Sequence, residues 1–207
     1  IGFGALDANT TASDNVAVGG AALGANTTGA DNVAIGRVAL NANTTASNNV
    51  AIGRNALLVN TTGTSNVALG AFALDANTTA NNNAAFGTSA LGANTTGADN
   101  TGIGTSSLKT NTTGTNNVAV GHRALSLNTT AASNVAVGKD ALYANTTGTQ
   151  NVALGDTALD SVQAGGNKNT AIGHAALTTV TTGDDNTAIG FGSLELNTGS
   201  SNTAVGK

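Results

Sequence analysis

The sequence of 207 residues contains no cysteine, proline, methionine or tryptophan. The absence of cysteine excludes disulfides and thiolate metal ligands within the chain, and it leaves the redox compartment open. Aromatic residues make up 2% of the sequence and charged residues 9%, whereas a typical soluble domain is about a quarter charged. One Tyr and four Phe supply little bulk for a globular core. This composition disfavours an enzyme, and no cofactor is expected.

The chain is also poor in positive charge and in long apolar segments. Its formal net charge is −4, which argues against a nucleic-acid partner bound by neutralisation of phosphates. No apolar run approaches the roughly 20 residues that a membrane-spanning helix needs. The sequence therefore predicts neither a nucleic-acid partner nor a membrane span.

What the sequence does contain is a repeat of seventeen residues. The unit reads N-[VT]-A-[IVL]-G-x-x-A-L-x-x-N-T-T-[GA]-x-x, and we number its positions 1 to 17 from the first Asn. That Asn recurs every 17 residues from Asn15 to Asn151, and Asn169, Asn186 and Asn202 follow at steps of 18, 17 and 16. About twelve copies form one uninterrupted array over residues 1–207. Because the sequence begins at Ile1, inside a unit and without Met, we interpret it as a segment of a longer fibre.

Period-two alternation in N-V-A-I-G predicts a short strand with one buried face. We expect positions 2 and 4 to share that face with the unbroken Leu at position 9. The Gly at position 5 indicates a turn with positive φ or a close backbone approach, and both remain open. The candidate core leucines are Leu23, Leu40, Leu57, Leu74, Leu91, Leu108, Leu125, Leu142 and Leu159.

A period of seventeen is too short for two-helix repeats and for leucine-rich repeats. Gly, Asn and Thr at fixed places also exclude one continuous helix. The prediction is an all-β fold, a parallel β-solenoid (β-roll) of about twelve coils with two short strands and two turns each. Coils stacked at about 4.8 Å give a rod of about 58 Å, and the stacked Asn side chains should form amide ladders.

Such a coil has a thin core, since only two or three aliphatic side chains per coil are expected to be buried. Each contributes roughly 1.5–3 kcal/mol, against roughly 1–2 kcal/mol of backbone entropy for every residue ordered. We therefore expect lateral association of identical chains, with a homotrimer around a shared apolar core as the first choice. End-to-end growth into a filament through open sheet edges remains an alternative.

The segments NTAIGHAAL (169–177) and NTTGADNVAIGRVAL (26–40) resemble the head repeats of bacteriophage tail fibres and of bacterial tail-fibre-domain proteins. The similarity to heads of trimeric autotransporter adhesins is looser, because the repeats there have a shorter period. The first resemblance covers essentially the whole chain. It implies a trimeric, left-handed parallel β-roll at a cell or virion surface. The implied role is spacing or adhesion, with a surface glycan or receptor as a possible partner.

The N-T-T triplet at positions 12 to 14 allows three interpretations. It can form an Asx or Ser/Thr turn at the corner of the coil. Each Asn is also a formal glycan acceptor, which would make the protein a glycan-coated filament, with sugar on the Thr pair as a variant. Third, Thr columns on a rigid solenoid suggest ice binding. The candidate glycan sites are Asn9, Asn26, Asn43, Asn60, Asn77, Asn94, Asn111, Asn128 and Asn145.

The two histidines, His122 and His174, share the variable position 6 and lie three coils apart in this scheme. At about 4.8 Å per coil they are too far apart to share a metal ion or a proton. We expect both to be exposed polar residues, with neither a catalytic nor a metal site in the chain.

Overall fold

The computed structural model describes residues 1–162, 165–180 and 182–207. Gln163 and Ala164, in the irregular stretch before Asn169, and Thr181, in the altered N-T-T position, lie outside the described residues. Within the described ranges there is no helix of the length and apolarity that a membrane span requires.

The chain is a parallel β-solenoid built from three-residue strands, as the sequence predicts. Twelve strands stack into one parallel sheet in the order β1-β2-β3-β4-β5-β6-β7-β8-β9-β11-β13-β15, and three shorter strands form a second sheet, β10-β12-β14. The strands are β1 Val16–Val18, β2 Val33–Ile35, β3 Val50–Ile52, β4 Val67–Leu69, β5 Ala84–Phe86, β6 Thr101–Ile103, β7 Val118–Val120, β8 Val135–Val137, β9 Val152–Leu154, β10 Ser161–Val162, β11 Thr170–Ile172, β12 Thr179–Val180, β13 Thr187–Ile189, β14 Leu196–Asn197 and β15 Thr203–Val205.

Register in the large sheet follows the repeat, so that like residues lie beside like residues. Ala34 pairs with Ala17 on one side and with Ala51 on the other. The 18-residue and 16-residue steps do not disturb this alignment, because Ala153 still pairs with Ala171 and Ala188 with Ala204. The extra and the missing residue are therefore absorbed outside the strands.

The prediction that positions 2 and 4 face the core is wrong. In eleven of the twelve strands of the large sheet the middle residue, at position 3, is buried, while the residues at positions 2 and 4 are half-buried or exposed. The apolar part of the interior consists of Ala from positions 3 and 8 and Leu from position 9. All nine candidate core leucines, Leu23 to Leu159, have no exposed surface. The coil is so narrow that Leu from the turn meets Ala from the strand, which leaves no room for Val or Ile between them.

Two consecutive turns follow each strand from β1 to β8. In the coil that carries β2, Ala39 N donates to Gly36 O and Asn43 N donates to Leu40 O, both at 3.3 Å. Leu40 has φ 50° and Val38 has φ 52°, so two non-glycine residues per turn segment lie in the left-handed region. That region costs an L-residue roughly 1–2 kcal/mol. The inward placement of each Leu therefore depends on a strained backbone.

The Gly at position 5 meets both of the requirements that the sequence left open. Gly36 has φ 135°, and a Cβ built on it would lie 2.5 Å from Gly53 O in the next coil. Gly36 N also donates to Val18 O at 2.7 Å, which draws the coils together at this corner. A side chain is excluded there by conformation and by space.

The prediction of two strands in every coil is wrong for most of the chain. Among the described residues a second strand occurs only as β10, β12 and β14, near the C-terminal end. In the other coils the turn segment bonds to its neighbours without strand geometry, as in the bond from Leu40 N to Ala56 O at 2.9 Å.

Candidate interaction surface

The outward side chains of the large sheet form a continuous apolar strip, which we call the strand face. It comprises unit positions 2 and 4 of all twelve strands. Ala at position 3 points inward, so the residues at positions 2 and 4 on either side of it point to solvent. Ile35 is 37% exposed, Leu69 41% and Ile103 41%.

The strand face carries no charged residue. Position 2 holds only Val, Ala and Thr, and position 4 holds only Val, Ile, Leu and Phe. Eleven steps of about 4.8 Å and a width of three residues give it a length of about 53 Å and an area of about 500 Å². Apolar patches of this size are often functional, and parallel sheets are normally covered on both faces. The strand face is the exposed side of a parallel sheet, with no part of the described chain over it.

Charged columns of opposite sign border the strand face. Position 6, just beyond the Gly corner, carries a formal charge of +3, and position 17, just before the first Asn, carries −3. The charged residues at position 6 are Arg37, Arg54, Lys139, Asp156 and Lys207. Those at position 17 are Asp14, Asp31, Asp99, Lys168 and Asp185. The charged residues at position 17 are all exposed, and the backbone there has positive φ, which Asp and Asn adopt more readily than most residues.

The Asn columns form the two amide ladders that the sequence predicts. Asn43 Nδ2 donates to Asn26 Oδ1 in the preceding coil at 2.8 Å and to Ala46 O at 2.9 Å. Asn32 Nδ2, at position 1, donates to the same Ala46 O at 2.9 Å. Asn49 N donates to Asn32 Oδ1 at 3.0 Å, which repeats the arrangement along the rod. Each corner carbonyl is therefore held by two buried amides.

These contacts decide what is accessible at the N-T-T corner. Of the nine candidate glycan sites, Asn9 is half-buried, and the other eight, Asn26 to Asn145, have no exposed surface. Their Nδ2 atoms, to which a sugar would be joined, donate within the ladder. A sugar on Nδ2 and an intact ladder cannot coexist at one residue, so the geometry favours the structural role of Asn.

The two threonines of the triplet differ in their surroundings. Thr27 Oγ1, at position 13, donates to Thr44 O in the next coil at 3.0 Å. Thr28 and Thr45, at position 14, are exposed. Both columns lie in bends and not in strands. The exposed hydroxyls leave the sugar variant on Thr accessible, whereas the N-T-T threonines do not form the strand-borne flat face that the ice-binding interpretation assumes.

One cluster of charges spans two coils on the turn side of the rod. Arg123 makes a two-point contact with Asp140, at 2.7 and 2.8 Å, and also lies over the Tyr143 ring at 5.0 Å. Burial alone raises the pKa of Asp140, but the contacts with Arg123 and Lys139 outweigh it and hold that pKa below its usual value. These side chains join neighbouring coils.

Asp160, in the coil after Asp140, lies in a different environment. Its Oδ1 is buried and has no hydrogen-bond partner. Burial raises the pKa of Asp160, and the negative charge of Asp140 adds to that rise. The carboxylate of Asp160 is therefore the less well accommodated of the two.

The histidines lie where the sequence places them. Both are exposed at position 6, after β7 and β11, which are three strands apart in the sheet. His174 stacks on Phe191 of the next coil with ring centroids 5.1 Å apart. Across residues 1–162, 165–180 and 182–207, no three His, Cys, Asp or Glu side chains converge on a metal position.

Sequence reasoning missed the strand face, because it assigned positions 2 and 4 to the core. The signal was present in the range of sizes at position 4, which runs from Val18 to Phe86. A close-packed interior does not tolerate such a range in register. Ala at position 3, replaced only once, by Gly102, has the uniformity expected of a buried column.

Comparison of the chain with protein-family models, with curated proteins and with solved structures found no match.

Proposed function

We propose that this protein is a non-enzymatic structural fibre segment, in which identical chains lie side by side with their strand faces packed together. The observation that carries this proposal is the uncharged strand face, about 53 Å long, on the open side of a parallel sheet. A rod stabilised in this way would space or display other groups, and would adhere to a surface through its variable positions.

Three chains are the favoured number. The +3 and −3 columns lie on opposite sides of the strand face, so parallel chains around one axis bring the basic border of each against the acidic border of the next. Such an interface is heterologous and closes into a ring. The resemblance of the repeat to tail-fibre heads supports the same number, and it supports a location outside a cell or on a virion.

The test is the mass of the native protein, with and without lysines on the strand face. Wild type is expected at about 59 kDa, three times the chain mass of 19.8 kDa. The double variant Ile103→Lys, Leu154→Lys places two outward charges on the strand face and is expected at the mass of one chain with an unchanged circular dichroism spectrum. Both residues are about 40% exposed, so the coil itself has room for the lysines.

The matched control is Thr105→Lys, which adds the same side chain two residues from Ile103 but at position 6, where Lys139 occurs naturally. It should keep the wild-type mass. A wild-type protein that stays monomeric at every concentration would overturn the proposal, and so would a double variant that remains a trimer.

A further inference from the structure

A notch interrupts the regular surface on the turn side of the rod, away from the strand face. It arises at position 10, where Gly92 lies between Asp75 in the preceding coil and Lys109 in the next. The missing side chain leaves a cavity of about 310 Å³, with Phe72 as one wall. This volume lies at the lower end of the range for small-molecule sites, about 300–1,000 Å³.

At the other glycine of position 10, Gly24, a side chain of the protein itself occupies the equivalent notch. At Gly24, the side chain of Asn41 from the next coil folds over the gap, and its Nδ2 donates to Ala21 O at 2.8 Å. A Cβ on Gly24 would lie only 2.9 Å from that Nδ2. Here an amide group occupies the notch and satisfies a backbone carbonyl.

At Gly92 the corresponding residue is Lys109, which is exposed and does not fill the gap. The nearest atoms to a Cβ on Gly92 are Asp75 Oδ1 and Ser89 O, both at 3.4 Å, and Phe72 O at 3.6 Å. All three are hydrogen-bond acceptors. Ser89 O occupies the place of Ala21 O in the filled notch; it accepts from Gly92 N at 3.3 Å, and its second lone pair is left for a ligand to meet.

The surroundings define the class of ligand. Three acceptors require a group with several donors, and the ring of Phe72 offers an apolar wall. Arg54, from the coil before Phe72, lies 4.7 Å from the centre of that ring and covers one of its faces. The other face of the ring is therefore the one that borders the notch. The positive charge of the Lys109 ammonium disfavours a cationic ligand, and it offsets the negative charge of Asp75. Burial raises the pKa of Asp75, consistent with a carboxyl group partly withdrawn from water.

We propose that this notch binds one pyranose ring of a neutral saccharide, with its hydroxyls donating to Asp75 and Ser89 O and its apolar side against Phe72. The inference goes beyond the structural role proposed above. Its lining residues belong to the turn segments and not to the strand face, so saccharide binding and chain association can succeed or fail separately.

The test is saturation-transfer NMR on the full chain, with the methyl pyranosides of glucose, galactose, mannose and N-acetylglucosamine as probes. Wild type is expected to bind at least one of them with a Kd in the millimolar range, as befits a single shallow site. Gly92→Asn fills the notch with the side chain that position 10 carries at Asn41, and we expect affinity to fall about tenfold or more.

Phe72→Ala removes the aromatic wall and is expected to weaken binding about tenfold. Its position, 7, holds Ala21 and Ala175 in other coils, so the coil should still form. Thr178→Asn, at position 10 of a distant coil, is the control and should bind as wild type does.

Three results would overturn the proposal. One is a wild type that binds none of the pyranosides. Another is binding that survives Gly92→Asn, which would place the saccharide elsewhere. The third is binding of tetramethylammonium in place of the pyranosides, which would make the notch a cation site. The mass of each sample, measured in parallel, reports on chain association independently.

Discussion

Two regions of the rod secure the same corner in different ways. In the coils that carry β1 to β8, the corner holds a buried Asn whose amide bonds to its neighbours along the rod. In the coils that carry β9, β11 and β13, the small sheet β10-β12-β14 lies there, with Ser161 paired to Thr179 and Val162 to Val180. The bond from Ser161 N to Thr178 O at 2.9 Å has a counterpart in the first region, from Ala93 N to Lys109 O at 2.9 Å, so the difference lies in the strand pairing and in the loss of the buried Asn. A side-chain ladder and a backbone ladder thus serve as alternatives, provided that Ala, Leu and the first Asn keep the interior unchanged.

The largest expected effect comes from replacing a leucine of the core, because both regions share the Leu column. Leu91→Asp places an unpaired charge between coils and removes a fully buried side chain, so we expect a loss of more than about 4 kcal/mol and failure to assemble. Leu177→Asp should be equally damaging in the other region. Thermal unfolding by circular dichroism, with the native mass, measures both.

The control for these leucine variants is Leu196→Asp, because Leu196 is 82% exposed and lies outside the interior. It should unfold as wild type does. Normal assembly of Leu91→Asp would mean that the Leu column is not the core.

The second prediction separates the two regions. Asn94 Nδ2 donates to Asn77 Oδ1 and Gly97 O, and Asn94 Oδ1 accepts from Asn111 Nδ2 at 2.8 Å. Asn94→Ala leaves buried Asn77 Oδ1 without its donor and removes one of the two acceptors of Asn111 Nδ2, while Gly97 O keeps the bond from Asn83 Nδ2, and should cost about 2–4 kcal/mol. Asn197→Ala, in the small sheet, should cost less than about 1 kcal/mol, because two of its three side-chain bonds are exposed and the third, from Asn202 Nδ2 at 3.3 Å, is only partly buried. Urea unfolding of both variants gives the comparison, and equal losses would contradict the idea of two alternative ladders.

The smallest effect is expected at Asp160, where the second region begins. Its raised pKa means that the folded state binds the proton more tightly than the unfolded chain does. Stability from this group is therefore greatest at low pH and falls as the pH rises from about 3.8 through the raised value. Asp160→Asn should stabilise the protein near neutrality by no more than about 1 kcal/mol, and the gain should vanish in acid.

Asp140→Asn is the opposite case and serves as the control. The pKa of Asp140 is lowered, so its contribution is present above 3.8 and is lost as the pH falls through the lower value. This variant should be less stable than wild type at neutral pH and equal to it in strong acid. Melting temperatures measured from pH 2 to 8 for both variants test the signs, which must differ.

The sequence was sufficient to predict the features that follow from in-register stacking, but it did not predict that most of the described coils carry one strand and not two. Equal spacing predicts in-register stacking, and from stacking follow the parallel sheet, the Asn ladders and the Gly corner at Gly36. The orientation of the strand was not predictable from alternation alone, because N-V-A-I-G is amphipathic in either sense when the alternate residue is Ala. The narrow coil decides the matter, and its width depends on Leu40 and Val38 adopting positive φ, which no propensity of Leu or Val indicates.

The notch at Gly92 was equally hidden from pattern reasoning. A repeat consensus averages position 10 into a variable column, whereas the notch exists because Phe72, Asp75, Gly92 and Lys109 coincide on neighbouring coils. Residues that depart from the consensus can form a local site, but only the stacking of the coils shows which of them are adjacent.

The absorption of one extra and one missing residue outside the strands has a consequence for how such a rod evolves. Because Ala153 pairs with Ala171 across the longer step, an error in the length of one coil does not propagate to the next. Duplication or loss of whole units therefore changes the rod in increments of about 4.8 Å while every surface column stays aligned. Selection can therefore change the length of the rod without changing the surface that the rod presents.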